Sequence, residues 1–112
     1  MTDVIMTRQE IQVIVEQGLE ANGCNKENAA AVARTISAAE LDGCAAHGLF
    51  RMPGYVASLR SGKVNGNAQP TVSRISPGVV KVDGDHGYAP LALEMGRQAL
   101  IDAARENGIA AM

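Results

Sequence analysis

Apolar side chains at the start of the chain recur with helical periodicity. Over residues 11–19 an apolar residue occurs every three to four positions, which is the spacing of one helix face. These apolar positions are Ile11, Ile14, Val15 and Leu19. Thr7 followed three residues later by Glu10 is typical of a capping box, and Gly23 favours a stop. The pattern predicts a first helix over about residues 8–22.

Two further helices follow. Asn25 is a good cap for the second, Gly43 supplies its stop, and the apolar stripe consists of Ala29, Val32, Ile36 and Ala39. Pro53 favours the first position of a short third helix that ends at Gly62. That helix carries Tyr55, Val56 and Leu59. The first half of the chain is therefore predicted to be helical.

The periodicity changes after a turn-rich linker over residues 65–70. Residues 71–75 and 79–82 are rich in β-branched side chains, which is typical of short strands. They are separated by Ser76-Pro77-Gly78, a turn sequence. The pattern predicts a hairpin or a bent pair of strands.

A last helix is predicted over about residues 90–106, with a stop at Gly108. Its apolar stripe comprises Leu93, Gly96 or Arg97, Leu100, Ile101 and Ala104. Residues 109–112 are typical of the opening of a buried strand, and a strand, helix and new strand begin a parallel crossover. We expect an α+β or α/β fold in which residues 1–64 form a helical subdomain and residues 65–112 begin a truncated α/β domain with an incomplete sheet.

Composition and charge narrow the class of protein. The chain has 112 residues, 46% of them hydrophobic, which suits one compact globular unit. Ten basic against twelve acidic residues give a net charge of −2, and no basic cluster indicates a nucleic-acid partner. No targeting or membrane-spanning segment is present, so a cytoplasmic location is expected. Cys24 and Cys44 fit neither a zinc nor a redox pattern and are expected to be reduced, structural thiols.

A candidate polar site lies between the second and third helices. His47, Arg51 and Tyr55 occur at four-residue intervals, so a roughly helical backbone places all three on one face, where they suit a small carboxylate. The structural alternative is a surface histidine, a solvated arginine and a packing tyrosine. Nearby Gly43, Gly48 and Gly54 favour the functional interpretation, because glycines let backbone approach a ligand closely.

Two other kinds of site are not predicted. Asp83, Asp85 and His86 lie in a glycine-rich turn, where such residues more often form the turn than bind a metal. No Gly-x-Gly-x-x-Gly follows a strand, so a Rossmann-type dinucleotide turn is not encoded, and the predicted fold is not Rossmann.

Several segments together carry a family resemblance. They are His47-Gly48-Leu49-Phe50-Arg51-Met52-Pro53-Gly54-Tyr55, Ser58-Leu59, Ser61-Gly62, Val82-Asp83-Gly84-Asp85 with Gly87, and Ala104-Arg105-Glu106-Asn107-Gly108-Ile109-Ala110. The chain resembles the type-2 malate/L-lactate dehydrogenase family, most of all its delta-1-piperideine-2-carboxylate (cyclic ketimine) reductase branch. The resemblance spans nearly the whole chain and implies that it is the amino-terminal portion of a longer enzyme.

The resemblance implies hydride transfer between NADP or NAD and C2 of a small 2-hydroxy, 2-oxo or 2-imino acid. It implies that His47 is the catalytic acid/base, and that Arg51 and Tyr55 bind the substrate. Most of the cofactor site is expected to lie beyond Met112, and no cofactor-binding residue is assigned. A homodimer is expected, with neither a membrane nor a nucleic acid as partner.

One position departs from the family pattern. Most members have a serine immediately before the motif histidine, where this chain has Ala46, whose side chain makes no hydrogen bond. This departure leaves open an inactive truncated pseudo-enzyme. The Ala-rich helices and the apolar carboxyl end leave open a second alternative, a non-catalytic helical interaction protein.

Overall fold

The computed structural model describes residues 3–112 and consists of α-helices, two single-turn 3-10 helices and one hairpin. The α-helices are α1 (Arg8–Ala21), α2 (Lys26–Leu41), α3 (Met52–Arg60) and α4 (Ala89–Asn107). The 3-10 helices span Ala45–His47 and Leu49–Arg51, and the strands are β1 (Thr71–Ser76) and β2 (Val79–Asp83). Every helix and strand predicted from the sequence is present, which confirms the expected fold class.

The predicted helix ends are formed by side-chain caps. The Thr7 hydroxyl accepts a hydrogen bond from the Glu10 N–H at 3.1 Å, and the Glu10 carboxylate accepts one from the Thr7 N–H at 2.9 Å. The Asn25 side chain accepts from the Asn28 N–H at 3.0 Å. Gly43 follows α2 at φ +75°, a left-handed conformation that ends the helix. The chain that leaves α2 after Gly43 continues directly into the first 3-10 helix, Ala45–His47.

The core lies mainly between α1 and α2. Its buried members are Val15, Leu19, Cys24, Ala29, Val32, Ala33, Ile36 and Tyr88. Burial of each larger aliphatic side chain contributes about 1.5–3 kcal/mol. The stripe predicted for α1 is narrower than expected, because Ile14 is 50% exposed whereas Val15 and Leu19 are fully buried.

The second half of the chain begins a parallel crossover. β1 and β2 pair antiparallel, and α4 packs against β2 and α2. After α4 the chain returns to the far edge of β2, where Val79 and Ala111 form a parallel bridge. The Val80 N–H donates to the Ala111 carbonyl and the Ala111 N–H donates to the Gly78 carbonyl, each at 2.8 Å. A single bridge therefore lies where the opening of a buried strand was expected, but Ile109 and Met112 are 81% and 45% exposed, so the expected burial is absent from this segment.

The buried face of α4 agrees with the predicted stripe at Gly96 and differs from it at the larger residues. Leu93 was expected in the core and is 54% exposed, whereas the buried residues of α4 are Leu91, Gly96 and Ala103. The helix lies close to the sheet through Gly96, since a Cβ atom there would be 2.6 Å from Val82 Cγ2. The close approach of α4 to β2 therefore leaves room only for a glycine at position 96.

The two cysteines occupy different environments. Cys24 is buried and Cys44 is exposed, and both are free thiols, so the expected structural role fits Cys24 alone. Burial raises the pKa of the Cys24 thiol to about 11, with a smaller contribution from the nearby Glu20 carboxylate. Within residues 3–112, no helix is long and apolar enough to cross a membrane.

Candidate functional site

A cavity of about 550 Å³ lies where the two 3-10 helices meet α3. All three residues predicted from the sequence to share a pocket line it, namely His47, Arg51 and Tyr55. The remaining lining residues are Thr35, Gly54, Ser58, Val64 and Tyr88. The cavity thus combines an imidazole, a guanidinium and hydroxyl groups with apolar walls.

The route by which His47 and Arg51 come together differs from the continuous helix that the spacing suggested. The first 3-10 turn ends at His47, whose N–H donates to the Cys44 carbonyl at 2.9 Å. Gly48 then takes φ −93° and ψ −140°, which interrupts the helical path. Its carbonyl accepts from the Arg51 N–H at 3.0 Å and starts the second turn. Both side chains nevertheless reach the same cavity.

A side chain from α2 supports these turns. The Leu49 N–H donates to the Glu40 carboxylate at 2.8 Å. Gly48 is buried beside that carboxylate, so Glu40 lies under the junction of the two 3-10 helices. Sequence reasoning did not identify Glu40, because an acid near the end of an amphipathic helix has the pattern of an ordinary surface residue.

The guanidinium of Arg51 is held by the backbone and remains available to an anion. Its Nε–H donates to the Ala46 carbonyl at 2.9 Å, which leaves the four N–H groups on the two Nη atoms. Within residues 3–112 Arg51 makes no salt bridge, and its side chain is exposed. An end-on, bidentate contact with a carboxylate is therefore open to it.

Two tyrosines form one wall of the cavity. The rings of Tyr55 and Tyr88 meet edge to face, with centroids 5.0 Å apart and planes at 75°. The Tyr88 hydroxyl donates to the Tyr55 carbonyl at 2.6 Å. Burial raises the pKa of Tyr88 to about 12. The Tyr88 hydroxyl is thus used in a hydrogen bond within the protein, whereas the Tyr55 hydroxyl has no hydrogen-bond partner among the described residues.

Ala46, where the chain departs from the family pattern, contributes to the site through its backbone. Its methyl group offers no hydrogen bond, but its carbonyl orients Arg51. The serine expected there would act through its side chain, whereas this contact depends on the backbone alone. Alanine at this position therefore still supplies the carbonyl that holds the guanidinium.

The loop between β2 and α4 is built as a turn rather than as a ligand site. Asp85 and His86 both have left-handed φ angles, +51° and +57°. The Asp85 carboxylate accepts from the Gln69 N–H at 3.0 Å and from the Asn65 amide at 3.3 Å. In the described part of the chain, no three potential metal ligands come together. The acidic side chains of this strand-to-helix loop also oppose a phosphate, so the loop does not fit the pyrophosphate of a nicotinamide nucleotide.

Comparisons with known proteins give matches over nearly the whole chain. The family described as malate/L-lactate dehydrogenase matches residues 6–112. The chain is 50% identical over 109 residues to a Delta(1)-pyrroline-2-carboxylate reductase from Ancylobacter novellus, covering 97% of this chain and 32% of that protein. It is 39% identical over 108 residues to a (2R)-3-sulfolactate dehydrogenase (NADP(+)) from Chromohalobacter salexigens, covering 96% of this chain and 32% of that protein.

Solved structures show the same architecture. The fold is similar to that of delta1-piperideine-2-carboxylate reductase from Pseudomonas syringae pathovar tomato, with a TM-score of 0.89 and 35% sequence identity. That match covers 93% of this chain and 31% of the other. The chain therefore spans about a third of the length of the relatives it matches.

Proposed function

The chain belongs to the malate/L-lactate dehydrogenase family, and we propose that it forms the substrate-binding side of an oxidoreductase. The reaction is hydride transfer between NAD(P)H and C2 of a small 2-oxo, 2-imino or 2-hydroxy acid, with a cyclic 2-imino acid as the first substrate to test. The observation that carries this proposal is the convergence of His47, Arg51 and Tyr55 on one cavity.

Arg51 binds the carboxylate of the substrate. Its Nε contact with the Ala46 carbonyl at 2.9 Å holds the guanidinium and leaves both Nη groups to take the two carboxylate oxygens. Each charge-assisted bond to the carboxylate contributes about 1.5–3 kcal/mol where water is excluded. This contact sets C2 at a fixed distance from the arginine.

His47 supplies the proton. When hydride adds to C2 of an imine, the electron pair of the C=N bond moves to nitrogen, which then takes a proton from the imidazolium. In the oxo substrate the carbonyl oxygen takes the same proton. An imidazole suits this task because each of its two ring nitrogens can carry a proton and pass it to a substrate within hydrogen-bond reach. Tyr55 closes the cavity and offers its hydroxyl to the substrate or to His47.

The nicotinamide cofactor supplies the hydride, and no described residue is assigned to it. The strand-to-helix loop before α4 does not fit its phosphates, whereas the cavity fits the substrate acid. Residues 1–64 therefore act as the substrate-side subdomain in this proposal, and residues 65–112 begin the α/β domain.

A chimera tests the proposal. This chain replaces the matching third of the Ancylobacter novellus reductase, and turnover of Δ1-pyrroline-2-carboxylate and of a 2-oxo acid is measured with NADPH and NADH. We expect His47→Ala to lower kcat by about 10²- to 10⁴-fold, the usual effect of losing a general acid. Arg51→Gln should raise KM and lower kcat/KM by roughly 10- to 150-fold, which corresponds to one or more sheltered charge-assisted bonds.

Matched controls are available within the chain. His86→Ala removes the other histidine, and Arg105→Gln removes an exposed cation that does not line the cavity. Both should leave kcat/KM within about threefold. Undiminished turnover in His47→Ala would remove that residue from the mechanism. An inactive chimera that Ala46→Ser activates would instead support the pseudo-enzyme alternative.

Assembly and location also belong to this proposal. We expect a homodimer in the cytoplasm. Large apolar side chains are exposed on this chain, including Phe50 of the second 3-10 helix at 77%, and their burial would favour association. Light scattering on the active chimera tests this expectation, and a monomeric mass would contradict it.

A further inference from the structure

We propose that Glu40 is a positioning residue for His47 and Arg51. The proposal deepens the proposed function and rests on it, since it concerns the same cavity. In this proposal the Glu40 carboxylate holds the peptide between the two 3-10 turns, and through that peptide it sets the positions of both functional side chains.

The first argument is the contact itself. The Glu40 carboxylate accepts a hydrogen bond from the Leu49 N–H at 2.8 Å, nine residues along the chain. A charged acceptor on a backbone N–H makes a stronger bond than a neutral one. Leu49 also packs against the hydrophobic core. The start of the second turn is therefore tied to α2 by a polar and an apolar contact at the same residue.

The second argument is the glycine beside the carboxylate. A Cβ atom on Gly48 would lie 2.1 Å from Oε1, 2.6 Å from Cδ and 2.8 Å from Cγ of Glu40. All three distances are shorter than real contacts of this kind. Any larger residue at position 48 would displace the carboxylate, so the glycine and the acid are matched to each other.

The third argument is the place of this contact in the chain. Gly48 directly follows His47, and its carbonyl accepts from the Arg51 N–H at 3.0 Å. Fixing the Gly48–Leu49 peptide therefore fixes the end of one turn and the beginning of the next. Errors of about 1 Å in the placement of reacting groups cost as much as 10²-fold in rate. Glu40 does not line the cavity, so in this proposal it acts through the backbone.

Hydrogen exchange on the 112-residue chain measures the contact directly. In Glu40→Ala, exchange of the Leu49 amide should accelerate about tenfold or more, because the acceptor itself is lost. In Glu40→Gln, the amide oxygen can still accept, and exchange should stay within about threefold of wild type. The same Glu40→Ala change should shift the Arg51 Nε–H and His47 ring resonances, whereas Glu20→Ala, an exposed acid on α1, should leave them in place.

A double-variant comparison tests the match between Gly48 and Glu40. Gly48→Ala alone should accelerate Leu49 exchange as Glu40→Ala does, since the new methyl group displaces the carboxylate. In the Glu40→Ala background, Gly48→Ala should add little, because the clashing atoms are gone. Additive effects of the two substitutions would overturn the proposal.

Kinetics in the chimera separate positioning from simple stabilisation. Glu40→Ala should lower kcat and raise KM together, with kcat/KM reduced roughly 10- to 100-fold, and Glu40→Gln should restore most of it. Unchanged kcat/KM in Glu40→Ala, or a Gln variant as poor as the Ala variant, would overturn the proposal. A chimera without turnover contradicts the proposed function alone, since the Leu49 exchange and the His47 and Arg51 resonances still decide the role of Glu40.

Discussion

Replacement of Tyr88 by phenylalanine tests how the cavity wall is held. The substitution keeps the ring, which is 5.0 Å from that of Tyr55, and removes the hydroxyl that donates to the Tyr55 carbonyl at 2.6 Å. Tyr88 is only 8% exposed, so water cannot fully replace the lost donor. A hydrogen bond of this kind contributes about 0.5–1.5 kcal/mol. We expect Tyr88→Phe to lower the free energy of unfolding by about 1 kcal/mol and Tm by roughly 3–6 °C.

The matched control is Tyr55→Phe, which removes a hydroxyl from the neighbouring ring. That hydroxyl has no hydrogen-bond partner within residues 3–112, so its loss should change the free energy of unfolding by less than about 0.5 kcal/mol. Urea and thermal denaturation of the purified chain measure both variants. If Tyr55→Phe is as destabilising as Tyr88→Phe, the assignment of the hydrogen bond is wrong.

Three further predictions follow from charged and titratable groups. A thiol reagent should modify the exposed Cys44 quickly in the native chain and the buried Cys24 only on unfolding, which mass spectrometry can follow; equal rates would contradict the burial. Folding raises the pKa of Cys24 from 9.0 to about 11 and the pKa of Tyr88 from 10.0 to about 12. The stability that the two protonated groups contribute is therefore complete below pH 9 and is lost as the pH rises toward 12. Urea denaturation across this range should show that loss, with a smaller fall in Tyr88→Phe. The hydrogen bond from Arg34 lowers the pKa of Glu94. At pH 7, Glu94→Gln should therefore reduce the free energy of unfolding by about 0.2–1 kcal/mol. The difference between the two proteins should vanish in acid, where Glu94 is protonated.

The order of helices and strands was predictable because local signals set it. The capping box at Thr7 and Glu10, the cap at Asn25 and the left-handed glycines at helix ends all act within a few residues. The face that α4 buries was not predictable in the same way. Close approach of Gly96 to Val82 decides that face, and such an approach depends on partners far along the chain.

The candidate site was predictable only in part for the same reason. The four-residue spacing identified His47, Arg51 and Tyr55 as a possible set. The backbone connects them through two 3-10 turns and the start of α3 rather than through one continuous helix. Glu40 and Tyr88 support the cavity from separate elements, and no local pattern marks them. Residues that recognise a ligand stand out by their chemistry, whereas residues that hold them in place become visible only through contacts.

In the proposed function, Arg51 and His47 bind the same small acid. A crystal structure of the chimera with pyrrole-2-carboxylate, a planar and unreactive analogue of the cyclic imino acid, tests it most directly. We expect both carboxylate oxygens at about 2.7–3.0 Å from the Nη atoms of Arg51, and the ring nitrogen within about 3.2 Å of the His47 imidazole. An analogue bound with its carboxylate on other residues, or turned away from His47, would contradict it.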